Sequence, residues 1–151
     1  MSVLERLKAA GVTLPGARPP VANYVPFVIT GNLLFISGQV STGPDGLIKG
    51  RLGEGMTLED GQAAARVCAV NLIAQMKAAL GDLERVERIV KLGGFVSAGA
   101  DFADIPQVIN GCSDLMVEVF GDKGRHARSA VACPVLPMGA AVEVDAVVQI
   151  T

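Results

Sequence analysis

The chain has one histidine, His126, set between two arginines in Gly124-Arg125-His126-Ala127-Arg128, directly ahead of fourteen residues (129 to 142) without a charge. A Ser-His-Asp or Cys-His system would have to be built on that one imidazole, and a metal site would have to come from carboxylates with little nitrogen help. Neither is expected here. Cys68, Cys112 and Cys133 show no C-x-x-C spacing. The first two lie on or beside apolar helical stripes, as structural thiols do. Cys133 has no Lys or His beside it in sequence to lower its pKa.

Arg128 is different. A guanidinium at the start of a strand bound for the interior must be paired, and its planar fork suits a carboxylate held at two points. One option is a structural salt bridge to Glu143 or Asp145. If Leu136-Pro137-Met138-Gly139 is a hairpin turn, residue 128 falls opposite about 147, on the face of Glu143 but four residues along the partner strand. At ~3.3 Å per residue the offset is about 13 Å, too long for an ion pair. That gap suits a small anionic ligand and a water, or partners from a neighbouring subunit.

The elements that must carry these residues read as follows. Residues 2 to 10 fit a short amphipathic helix, and a Gly- and Pro-rich connector follows it to residue 21. Together, 1–21 form an appendage to a domain at 22–151. Residues 24 to 40 give two apolar runs joined by Thr30-Gly31-Asn32, a hairpin. The loop after them lacks phosphate-loop spacing and reads as a connection. Thr57 and Asp60 form a capping pair for a long one-faced helix ending near Gly81. Residues 85 to 98 are β-rich, and Gly93-Gly94 within them point to a bulge or a close backbone approach. A second helical stripe runs from Ile105 to Phe120, with Pro106 in its first turn. Two strands, about 128 to 135 and 140 to 150, close the chain. In the last, Val142, Val144, Ala146, Val148 and Ile150 share one face and Glu143 and Asp145 the other. The class is α+β, a sheet with two helices on one side.

Composition bounds the function. Half of the 151 residues are hydrophobic and 19% are charged, more apolar surface than a monomer of this size hides easily, so an oligomer is expected. Net charge is -2, pI is near 5.3, and Lys and Arg are scattered, which speaks against nucleic acid. The odd cysteine count and the charged N-terminus fit a reducing cytoplasm. The longest uncharged stretch is broken by Pro134, Pro137 and Gly139 and is shorter than the ~18 to 20 residues of a membrane span.

The segments "GNLLFISGQV", "ARSAV", "LP" and "AAVEVDAVV", in this order, resemble the Rid family of reactive intermediate deaminases, also called the YjgF family. The resemblance covers about residues 22 to 150. Its most specific element is Arg-Ser-x-Val with a glutamate fifteen positions after the arginine, here Arg128 and Glu143. It is closest to a longer subgroup with an N-terminal extension. It implies a chorismate-mutase-like mixed sheet, a homotrimer with clefts between subunits, and hydrolysis of 2-imino or 2-enamino acids to 2-keto acids and ammonia, with no metal or cofactor. By resemblance, Arg128 binds the substrate carboxylate, Glu143 positions the water, and Tyr24 and Ser37 line the cleft. "ANYVPFV" departs from the family's usual G-P-Y-S-Q-A, and Ala130 stands where many members have cysteine. Two other readings stay open: a trimeric module that binds small carboxylates such as 2-keto acids without turnover, and an endoribonuclease.

Overall fold

A computed structural model of the chain describes residues 1–20 and 22–151. Its main elements are α1 (Val3–Ala9), β1 (Phe27–Thr30), β2 (Leu33–Val40), α2 (Leu58–Leu80), β3 (Val86–Ser97), α3 (Ile105–Phe120), β4 (Ala127–Cys133) and β5 (Val142–Ile150). The five strands form one mixed sheet in the order β1-β2-β5-β3-β4, in which only β3 and β4 run parallel. This is the expected α+β class, with α2 and α3 on one face.

Local chemistry sets the helix limits. Thr57 Oγ1 accepts the Asp60 amide at 3.2 Å, and the Asp60 carboxylate accepts the Thr57 amide at 3.0 Å. That reciprocal cap satisfies two donors that the first turn of α2 would otherwise leave bare. α2 then runs for 23 residues to Gly81, whose φ of 76° ends it. By length and composition α2 is the one helix among the described residues that could cross a membrane, yet most of its apolar window is buried inside the fold. Leu72, Ile73 and Met76 are fully enclosed. α3 buries Val108, Ile109, Cys112, Leu115, Met116 and Val119 against α2 and the sheet. α1 joins the same core through Val3 and Leu7.

The alternation read in the last strand is present. Val142, Val144, Ala146, Val148 and Ile150 are buried, and Glu143, Asp145 and Val147 point away from the helices. Register carries that second face across the sheet: Val147 pairs with Phe35, Phe35 with Val28, Glu143 with Phe95, and Phe95 with Val131. Val28, Phe35 and Val131 are each more than two-fifths exposed, so the face without helices is broadly apolar. Gly93 and Gly94 make the expected close approaches. A Cβ at Gly93 would lie 2.6 Å from Asp145 Oδ1, and one at Gly94 would lie 2.7 Å from Ile109 Cδ1.

The terminal hairpin is not formed. β4 and β5 are separated by β3, which pairs with both. The segment between them is a 3₁₀ turn, Pro137–Gly139, in which Met138 takes a left-handed φ of 60°. The parallel β3-α3-β4 crossover places β4 at the sheet edge, so the turn leads past the end of β3 instead of folding β5 back on β4. Arg128 is therefore not opposite residue 147. It pairs with Leu92, and Leu92 pairs with Ala146, on the helix face.

Candidate functional site

Three of the four residues singled out from sequence meet in one chain. Tyr24, Ser37 and Glu143 line a cleft of about 510 Å³ at one end of the sheet, with Arg18, Gln39 and Met138 also in its wall. A bulge in β2 builds this corner. Ile36 pairs with Ala146 and Gln39 with Val144, so three steps on β2 match two on β5, and the extra residue falls at Ser37-Gly38. A bulge turns a side chain out of the alternating pattern. Ser37 is fixed there by two bonds to the segment before β1: its amide donates to Pro26 O at 2.9 Å and its hydroxyl to Val25 O at 2.8 Å. With that hydrogen committed, the Ser37 oxygen turns its lone pairs outward as an acceptor.

Glu143 stands over the bulge. A Cβ at Gly38 would lie 2.9 Å from Glu143 Oε2, so hydrogen at position 38 is what admits the carboxylate. Burial raises the Glu143 pKa above its ordinary 4.5, and Asp145 on the same face adds to the rise. Asp145 is also raised by burial, opposed by the Gly93 amide and by Lys91.

Arg128 belongs to a different neighbourhood. Its Nη1 donates to Asn110 Oδ1 at 2.9 Å and to Ser113 Oγ at 3.1 Å, and its Nη2 donates to Pro106 O at 3.3 Å. No ion pair among the described residues includes it, so the salt bridge to Glu143 or Asp145 is not formed. Three of its five N–H groups are used. The one on Nε and a second on Nη2 have no protein partner among the described residues, and those two nitrogens share one edge of the fork, the edge that takes a carboxylate at two points. Arg125 is two-thirds exposed and pairs with Asp122 at 3.4 Å.

Sequence reading missed Gly38, Met138, Arg18, Asn110 and Ser113. The Ser-Gly-Gln segment was the available signal for Gly38. Asn110 and Ser113 fall beside the apolar stripe of α3, where polar residues are ordinary. Cys68 and Cys112 are buried, and burial raises both thiols, that of Cys112 to about 12. Among the described residues there is no group of three His, Cys, Asp or Glu that could hold a metal ion.

Comparison with known proteins places this geometry among relatives. Residues 4–149 match the family described as "YjgF/chorismate mutase-like, putative endoribonuclease". Protein TCP17 of Trypanosoma cruzi is 49% identical over 150 residues, covering 98% of this chain and 94% of its own length. The crystal structure of Atu1372, a protein of unknown function from Agrobacterium tumefaciens, is 47% identical with a TM-score of 0.93, covering 99% of this chain and 92% of that one. The crystal structure of RidA from the Antarctic bacterium Psychrobacter sp. is 28% identical with a TM-score of 0.61, covering 89% of this chain and 94% of that one.

Proposed function

The chain belongs to the YjgF/chorismate mutase-like family, and from that premise we propose that it hydrolyses reactive 2-imino or 2-enamino acids to 2-keto acids and ammonia, in clefts built between subunits of a homotrimer in the cytoplasm. The observation that carries this reading is the convergence of Tyr24, Ser37 and a pKa-raised Glu143 on one cleft.

A protonated imine carbon is already electrophilic, so the protein has to fix the substrate and aim a water. Arg128 of one chain takes the carboxylate on its open Nε edge. Glu143 of the next accepts a proton as the water oxygen bonds to C2 and returns it to the carbinolamine nitrogen; as the C–N bond breaks and C=O forms, it takes the hydroxyl proton and passes it to the departing ammonia. The products are the 2-keto acid and ammonium. A carboxylate with a raised pKa suits these transfers, because its protonated and ionised forms lie closer in energy near working pH. Ser37, its hydroxyl hydrogen bound to Val25 O, accepts an N–H of the substrate.

The apolar face bearing Val28, Phe35 and Val131 supports assembly, because a sheet face of this kind left in water favours association. In this reading assembly brings Arg128 of a neighbouring chain to a cleft whose own wall already holds Arg18 beside Glu143.

The test is ammonia release from a 2-imino acid generated in place by an amino-acid oxidase, with 2-keto-acid binding measured on the same preparation. Release above the uncatalysed rate supports the deaminase. Binding without faster release establishes a carboxylate-binding module instead. Cleavage of a single-stranded RNA by the same sample, with no effect on the imine, would establish a ribonuclease.

A further inference from the structure

His126 has no part in the reaction above, yet it closes a chain of hydrogen bonds that ends on Arg128. Its Nδ1 lies 2.6 Å from Gly124 O, and its Nε2 lies 2.8 Å from Ser113 Oγ. A carbonyl can only accept, so Nδ1 carries the hydrogen and the neutral ring presents Nε2 as an acceptor. The Ser113 hydroxyl therefore donates to Nε2. With that hydrogen spent, Ser113 Oγ faces Arg128 Nη1 as an acceptor, at 3.1 Å.

We propose that Ser113 and His126 are positioning residues for the substrate carboxylate: His126 orders the Ser113 hydroxyl, and Ser113 with Asn110 and Pro106 O holds the Arg128 guanidinium so that its Nε edge stays open. This deepens the reading of Arg128 as the carboxylate anchor and rests on it. Pro106, Asn110 and Ser113 are spaced four and three residues apart, so they stand on one face of α3. That face takes both Nη1 hydrogens and one on Nη2, and leaves Nε–H and the second Nη2 hydrogen to a ligand.

The arrangement has a definite dependence on proton concentration. Protonation would place a hydrogen on His126 Nε2, so that imidazolium and guanidinium would both offer hydrogens to one serine oxygen. The hydroxyl hydrogen would lose its acceptor, and two cations would share the site. The elements around the ring carry Cys112 and Asp114 on α3, Asp122, Lys123 and Arg125 in the turn before β4, and Arg88 and Lys91 on β3. The Arg128 guanidinium is the charged group that acts on the ring directly. Burial is the larger cause holding the His126 pKa below 6.5, and Arg128 acts in the same direction, while the Gly124 carbonyl opposes them. The network is therefore intact at neutral pH and weakens as pH falls through a value lower than the ordinary 6.5.

The test is calorimetric binding of 2-oxobutanoate to the assembled protein across pH, beside kcat and KM for imine hydrolysis. Ser113→Ala should weaken binding about tenfold, the lower end of the effect of losing a hydrogen bond to a charged group, with kcat nearly unchanged and Ser113→Thr restoring affinity. In wild type, affinity should fall on the acid side. His126→Gln keeps an acceptor near Nε2 but does not titrate, so it should bind as wild type at neutral pH and lose that step. Should Ser113→Ala fail to assemble, the pH profile of His126→Gln decides alone. Wild-type affinity in Ser113→Ala, or an acid step that persists in His126→Gln, overturns the positioning role while leaving the anchor in place. Wild-type affinity in Arg128→Ala removes the anchor itself.

Discussion

Arg128 and Glu143 lie on opposite faces of the same sheet. Arg128 is in register with Leu92 and Ala146 on the helix side, and Glu143 with Phe95 on the other. Within one chain the two side chains address different spaces, so a ligand touching both has to lie between two chains.

This arrangement predicts complementation. Arg128→Ala homotrimers should keep at most about a tenth of wild-type activity and Glu143→Gln homotrimers none, but subunits mixed one to one and reassembled should rise to about a quarter of wild-type activity. In a cyclic trimer roughly three-quarters of the assemblies are mixed, and each of these has one cleft in three with both native residues. No recovery after verified exchange would put the site within a single chain.

Arg128→Ala should lower kcat/KM for imine hydrolysis by roughly 10- to 150-fold, the equivalent of ~1.5 to 3 kcal/mol for a lost charged hydrogen bond. Arg128→Lys should recover little, because an ammonium lacks the two-point edge. Arg125→Ala, whose parent residue is exposed, is the control and should stay near wild type. Full activity in Arg128→Lys would show that only charge mattered.

Glu143→Gln should abolish turnover and also stabilise the fold near neutral pH. The folded pKa is raised by burial first and by Asp145 second, so the folded chain holds this proton to higher pH than the unfolded chain does. Its contribution to stability is present in full below the unfolded carboxylate value and is lost as pH rises through the folded one. Glutamine stays neutral throughout. The gain in Tm should therefore be visible at pH near 7 and vanish at pH near 4, where wild-type Glu143 is itself protonated. Equal melting at both values would show that the carboxylate is solvated in the assembly.

Turnover should survive EDTA and iodoacetamide under native conditions, since the proposed chemistry uses water and a carboxylate. Cys68 and Cys112 are buried with raised pKa values, which leaves Cys133 as the accessible thiol. Inactivation with assembly unchanged would assign a role to a metal or to Cys133.

Sedimentation equilibrium at micromolar concentration should give three times the 15.6 kDa chain mass. A monomer at that concentration would leave Val28, Phe35 and Val131 in water and remove the shared cleft.

Much of the fold was readable because apolar periodicity is local. The stripe from Ile105 to Phe120, the Thr57 cap and the alternation from Val142 to Ile150 each declare an element within a few turns or residues. Strand order is not local. Nothing in "LPMG" states that β3 will insert between β4 and β5, and with the hairpin assumption went the face assigned to Arg128. Tyr24, Ser37 and Glu143 were named through resemblance; their meeting depends on the bulge at Ser37-Gly38, which a pattern of alternating residues does not reveal. In sequence His126 presents itself only as a nucleophile's base or a metal ligand, because its bond to Ser113 spans two elements whose packing the sequence does not show.

The contact between Gly38 and Glu143 ties a backbone irregularity to the position of an acid. An added methyl at position 38 would fall 2.9 Å from Glu143 Oε2 and oblige the carboxylate to swing away. If Glu143 aims the water as proposed above, that swing would cost turnover and leave the arginine's hold on a carboxylate untouched, so the bulge is where binding and catalysis come apart.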